Sequence, residues 1–171
     1  PELAVLDLEG QVFMGDEGLL ALAEHCPLLT ALNIAGCGMR DEDYLDMMGF
    51  DDDDDEVNDC KFTARSAKAL AEKCPKLAKL SVKGAAGWDD ACYRAILEHA
   101  KLKVLRDWAK RELGEWYWEK GEEAWLKQGG EDEDKEAERL WRLGAVLGHA
   151  KCQYELGKLY DKGSGGLEQS D

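Results

Sequence analysis

Apolar positions in the first hundred residues switch between two periods. Leu3-Ala4-Val5-Leu6-Asp7-Leu8 recurs as Leu29 to Ile34 and as Leu77 to Val82, and Leu102 to Leu105 is a truncated copy. Each full copy reads LxxLxL, whose last two apolar positions lie on one side of a short strand. Between copies the period becomes helical, over Gly15 to Pro27, Thr63 to Pro75 and Asp89 to Ala100. Leu8 to Cys26 is 18 positions, and so is Val82 to Ala100. A strand and a helix per 25 or 26 residues cannot each bury an apolar face alone, so neighbouring units are expected to stack. The middle unit breaks the spacing: Ile34 to Cys74 is 40 positions, about 22 more than its counterparts. The extra residues form either a surface insertion at about 40–61 or a degenerate repeat with a helix over Asp43 to Met48. The insertion is preferred, because no LxxLxL strand follows that helix.

After Leu105 the pattern becomes helical and holds five of the six tryptophans: Trp108, Trp116, Trp118, Trp125 and Trp141. Leu113 to Gly121 recurs 43 positions later as Leu156 to Gly163, one residue shorter, with Ala137 to Ala150 between them. Gly114 and Gly157 are expected to let helices approach closely. Gly148 suits a left-handed helix C-terminus and Gly163 a helix end. Gly129 to Asp134 reads as a polar break with an acidic start to the next helix.

Two resemblances attach to these residues. Glu24 to Cys37 ("EHCPLLTALNIAGC") and Glu72 to Gly84 ("EKCPKLAKLSVKG") resemble the cysteine-containing leucine-rich repeats found beside F-boxes in ubiquitin-ligase substrate adaptors. Ala137, Trp141, Gly148-His149-Ala150, Gln153-Tyr154, Leu156-Gly157, Tyr160 and Gly163 resemble a Sel1-like repeat, a relative of the tetratricopeptide repeat. Together they imply an α/β leucine-rich-repeat solenoid over 1–105, fused to an all-α Sel1-like helical-hairpin solenoid over 106–171. A solenoid without a capping element exposes an apolar end, so the chain is expected to be a fragment or to be covered there by a partner.

Charge changes the picture in one place. The 171 residues carry 37 acidic and 22 basic side chains, a net charge of −15. Eleven acids and no Lys or Arg fall between Asp41 and Asp59; without those eleven charges the remainder stands at −4. Phosphate-backbone binding needs clustered Lys and Arg, so nucleic acid is excluded as a partner. A basic membrane-surface helix is disfavoured, and no run of 18 apolar residues spans a bilayer, so direct membrane insertion is excluded too. Six cysteines without a CxxC pair suggest reduced thiols and an intracellular protein, soluble or attached peripherally through a complex. Pro1 is followed at once by a strand-like run, and no targeting segment is visible.

Chemistry candidates give little support to catalysis. Cys26 beside His25 points about 100° away from it on a helix, and Cys26 and Cys74 occupy equivalent positions suited to a small buried thiol. Cys26, Cys74 and His25 lack a local ligand pair for zinc. His99 shares a surface column with His25 and Lys73, and His149 is expected to cap or pack at a helix turn. Calcium loops starting at Asp51 or Asp52 fail at the Gly and bidentate Glu positions. No phosphate loop or nucleophile elbow appears. No enzyme, cofactor or metal is therefore expected.

Binding surfaces remain. The leucine-rich resemblance implies a concave face with rows Val5, Ala31, Lys79 and Val104; Asp7, Asn33 and Ser81; Glu9, Ala35 and Lys83. This face either docks a protein or is simply solvated. Trp118 is an exposed hot spot or packs near Trp108 and Trp125. Asp51, Asp52, Asp53, Asp54 and Asp55 form a solvated loop or a docking segment for a basic partner surface. The expected function is a non-catalytic interaction scaffold, a structural or assembly subunit bound to other protein subunits. A ubiquitin-ligase adaptor is the alternative, requiring an F-box outside these residues, and a thiol-dependent or hydrolytic enzyme is a distant third.

Overall fold

Three strands of three residues each alternate with helices through the first hundred residues. In chain order the elements are β1 (Val5–Asp7), α1 (Asp16–His25), β2 (Ala31–Asn33), α2 (Ala64–Lys73), β3 (Lys79–Ser81), α3 (Asp90–His99), α4 (Lys103–Leu126), α5 (Glu131–Val146) and α6 (Ala150–Lys162). This computed structural model describes residues 2–38, 61–127 and 131–162. The acidic stretch, including Asp51 to Asp55 and the Asp43 to Met48 segment, lies outside the described residues.

The chain divides into two compact units, Pro1–Ala109 and Lys110–Asp171, with the boundary inside α4.

The first unit is organised by its sheet. β1, β2 and β3 are parallel in that order, with Leu6, Leu32 and Leu80 in register. Leu29, Leu32 and Ile34 are buried, as are Leu77, Leu80 and Val82, so the LxxLxL leucines form one side of the core. Leu19, Ala23, Ala67, Leu70, Cys92 and Ile96 complete it from the helices. Helix starts follow local chemistry: the Thr63 hydroxyl accepts from the Arg65 amide, and the Asp89 carboxylate accepts from the Cys92 amide. Asp16 also reaches across to accept from the Thr63 amide at 2.7 Å, which ties the start of α1 to that of α2. Buried thiols are hydrogen-bonded from one strand–helix segment to the one before it: Cys37 donates to the Leu8 carbonyl and Cys74 to that of Cys26. Phe62, Trp88, Tyr93 and Trp108 form a run of edge-on and tilted ring contacts with centroids about 6 Å apart. Gly87 sits at φ +74°, and a Cβ there would strike the Phe62 carbonyl, so both backbone and space require glycine.

The second unit closes around Trp141. Ala124, Ala137, Trp141, Cys152, Leu156 and Leu159 form its core, with Trp118, Trp125 and Ala145 packed against it. Three glycines admit large side chains: a Cβ would overlap the Trp141 indole at Gly121 and the Cys152 sulfur at Gly144, and would press on His149 at Gly114. Gly148, at φ +84°, ends the segment after α5 in the left-handed region.

The expected architecture is corrected by these elements. The protein is mostly helical, with six helices and a single three-stranded sheet among the described residues, and it builds neither a leucine-rich horseshoe nor a Sel1-like solenoid. The fourth LxxLxL copy fails for a physical reason. Its third apolar position is Asp107, which a strand would force into the core. The segment instead enters α4, where Lys103 pairs with Asp107 one turn on and Leu105 and Ala109 are buried one turn apart. Val104 is therefore helical and lies outside any strand row. In the second unit the two similar runs play unequal parts. Leu113 to Gly121 runs inside a 24-residue helix, with Gly114 and Gly121 in close contacts. Gly157 meets no described atom within 4 Å, so it is not the close-approach glycine its register predicts. One core, not a repeating one, results.

Candidate functional site

The face of the sheet opposite the leucines carries polar and small side chains. Register lines up Val5, Ala31 and Lys79 in one row across the sheet, and Asp7, Asn33 and Ser81 in the next. The rows continue past the strands, because the Gly10 amide donates to Ala35 and the Gly36 amide to Lys83, each at 2.9 Å. Glu9, Ala35 and Lys83 thereby lie across the sheet in order. Val5 is 65% exposed, and Asp7, Glu9, Lys79, Ser81 and Lys83 are exposed, with Ala31, Asn33 and Ala35 half-buried between them. Acid stands on the first strand and lysine on the third.

Local hydrogen bonds hold this face in shape. The Asn33 amide group donates to the Glu9 carboxylate at 3.1 Å, and its oxygen accepts from the Ala35 amide. Asp7 accepts from the Glu9 amide in a two-residue turn. Thr30 donates its hydroxyl to the Ala4 carbonyl at 2.8 Å. The structure thus brings together Val5, Asp7, Glu9, Asn33, Lys79, Ser81 and Lys83, and it leaves Val104 out.

A second polar cluster occupies the other unit, and only part of it is legible from sequence. His149 Nε2 lies 2.8 Å from Glu115 Oε2, and its Nδ1 lies 3.3 Å from the Cys152 sulfur. Lys151 donates to the other Glu115 oxygen at 2.7 Å and places its ammonium 3.7 Å from the Trp118 ring centroid. Trp118 is half-buried against the Trp141 core and capped by that cation. Lys151 and, to a lesser degree, His149 hold the Glu115 carboxyl below its usual range. The spacing of His149 and Cys152, one turn apart after a left-handed glycine, was the available signal; Glu115, 34 residues earlier, gave none.

A thiol, an imidazole and a carboxylate in line have the outline of a nucleophile, base and orienting acid. Burial argues against that chemistry. Cys152 is 0% exposed, and desolvation with the nearby Glu115 charge pushes its thiol up to about 11. It stays protonated at neutral pH, its sulfur facing the Gly114 carbonyl. Burial likewise lifts Cys74 to about 11 and Cys92 to about 12. His25 and Cys26 end α1 and point apart, His25 exposed and Cys26 buried. His99 contacts Glu72 at 3.1 Å on the surface of the first unit.

Among the described residues no group of three or more His, Cys, Asp or Glu is placed to hold a metal ion. No helix there is long and apolar enough to cross a membrane. A groove of about 450 Å³ follows one stripe of α5, lined by Lys135, Glu138, Arg139, Arg142, Leu143 and Val146. Its guanidinium groups are engaged, Arg139 with Glu136 and Arg142 with Glu138. Compared with known proteins, the chain matches no family model, no curated protein and no solved structure.

Proposed function

We propose that the protein is a non-catalytic interaction subunit that docks another protein on the outer face of the β1–β3 sheet. One observation carries the reading. Parallel sheets are normally covered on both faces, and here one face is core while the other presents exposed Val5, Asp7, Lys79 and Ser81. The face is ordered by side-chain hydrogen bonds at Asn33, Glu9 and Thr30, so little side-chain freedom is lost when a partner settles on it. Its acid-to-lysine polarity gives the partner a preferred orientation. Asp51 to Asp55 offer a second contact for a basic patch on the same partner, on the ground of charge alone.

Affinity purification with mass spectrometry tests the reading, comparing the native chain with an Asn33→Arg/Lys79→Glu variant. The native chain is expected to recover a stoichiometric protein companion that the variant loses while its melting temperature is unchanged. Equal recovery by both would sink the sheet-face reading. Neutralising Asp51 to Asp55 is expected to weaken the same complex mainly at low salt, where surface charges are least screened.

A further inference from the structure

We propose that the edge of β1 accepts a fourth strand, an extended segment of a partner protein that alternates apolar and basic residues. The proposal rests on the reading of the sheet as the docking surface and names how the partner is held.

Three observations on β1 converge. The first is the direction of its peptide groups. The Ala4 carbonyl accepts from Thr30 and Ala31, and the Leu8 amide donates to the Asn33 carbonyl. Peptide groups alternate along a parallel ladder, so those of Val5 and Asp7 face away from β2 and form an edge that is open among the described residues. The Glu9 amide is already taken by the Asp7 carboxylate, which closes the window on that side.

Next comes the apolar layer beneath. Leu6 and Leu8 are only half-buried, whereas the residues beside them in the ladder, Leu32 with Leu80 and Ile34 with Val82, are buried. The leucine layer is incomplete at β1 alone, and an added strand with apolar residues on that side completes it.

Charge on the outer side supplies the third. Asp7 ends the edge strand and Glu9 follows just past it, and the sheet lysine, Lys79, is two strands away, roughly 10 Å. A basic side chain on an added strand lies directly opposite them, and opposite charges across a pair are favourable. Two β1 edges from two copies would bring four carboxylates together, so the acids disfavour self-pairing while admitting a basic segment.

The mode is strand addition: main-chain hydrogen bonds hold the segment, and its alternating side chains are read by the leucine layer and the two acids. The test uses the full chain with all eleven acids between Asp41 and Asp59 changed to Asn or Gln, so that this stretch does not gather basic peptide unspecifically. Two fluorescein-labelled peptides of eight residues, one alternating Lys and Val and one alternating Glu and Val, are titrated by polarisation at about 150 mM salt. Saturable binding of the Lys peptide alone is expected. Val5→Pro removes one outward amide and leaves the inward ladder intact, so it should weaken binding at least about tenfold with no change in melting temperature. Asp7→Lys/Glu9→Lys should transfer the preference to the Glu peptide. If Val5→Pro lowers the melting temperature, amide exchange on the parent protein decides, since the Lys peptide must slow exchange at Val5 and Asp7. Unchanged exchange, undiminished binding by a stably folded Val5→Pro variant, no saturable binding, or concentration-dependent self-association in place of peptide binding would each overturn the proposal. Partner capture separates this failure from failure of the docking reading. A companion kept by Val5→Pro but lost by Asn33→Arg/Lys79→Glu leaves the sheet face standing without strand addition, and a companion kept by both variants removes the reading itself.

Discussion

The two units solve burial in opposite ways. The first spreads its core beneath a sheet: leucines on one face are covered by helices, and the other face is left polar, exposed and ordered. The second packs α4, α5 and α6 around Trp141, with Gly121 making room for its indole and Gly144 and Gly114 for Cys152 and His149. An open layer keeps a surface that folding does not use, whereas a closed helical core leaves its polar groups pairing with each other, as Glu115, His149 and Lys151 do. The difference is the ground for placing the proposed docking surface in the first unit.

Breaking each core should expose the contrast most strongly. Trp141→Ala empties the centre of the second unit and is expected to cost about 3–5 kcal/mol, with amide protection lost in α5 and α6 and retained in β2. Leu32→Ala in the first unit should cost about 2–5 kcal/mol with the reverse pattern of protection. Urea denaturation and hydrogen exchange read both. The glycines supply a sharper test. Gly144→Val drives a side chain into the Cys152 sulfur and should cost about 1–3 kcal/mol. Gly157→Ala enters open space in a helix and should stabilise by up to about 1 kcal/mol.

Titration comes next. Burial raises the folded-state pKa of Cys74, Cys92 and Cys152 to between about 11 and about 12, above the ordinary thiol value of 9.0. A raised folded value means the stabilisation is complete below pH 9 and is lost as pH rises above it through the folded values. Thermal denaturation from pH 7 to 11 should show that decline, and Cys74→Ala/Cys92→Ala should flatten the part that belongs to the first unit. Smallest of all is the outer sheet face. Asn33→Arg and Lys79→Glu are expected to change stability by no more than about 0.5 kcal/mol each, as for surface positions generally. A larger loss at Asn33 would show that its bonds to Glu9 and Ala35 support the fold itself.

Sequence periodicity made the three strands and the short helices visible, because Leu6, Leu32 and Leu80 each sit in an apolar frame that only a strand can align. It misled at Leu102 to Leu105, where two leucines at the right spacing outweighed Asp107, the residue that makes a strand impossible there. The reading of two solenoids followed from extending local similarity into global architecture, although stacking depends on whether each successive unit offers the next an apolar face. Gly157 shows the same limit: its register matched Gly114, but only packing decides which glycine meets a neighbour. The outer-face residues could be named from alternation alone. Their order across the sheet needed the strand register, and the pairing of Glu115 with His149 joins helices that no local pattern connects. Asp51 to Asp55 lie outside the described residues, and their role rests on charge.

The central claim is that the outer face of the sheet binds a protein. Site-specific photo-cross-linking tests it most directly, with benzoylphenylalanine placed in turn at Ala31, at Ser81 and, for contrast, at Lys76 on the turn before β3, followed by mass spectrometry of the adducts. Adducts to one and the same protein from Ala31 and Ser81, and none from Lys76, are predicted. No adduct from the sheet positions, or an identical set from all three, would contradict the account.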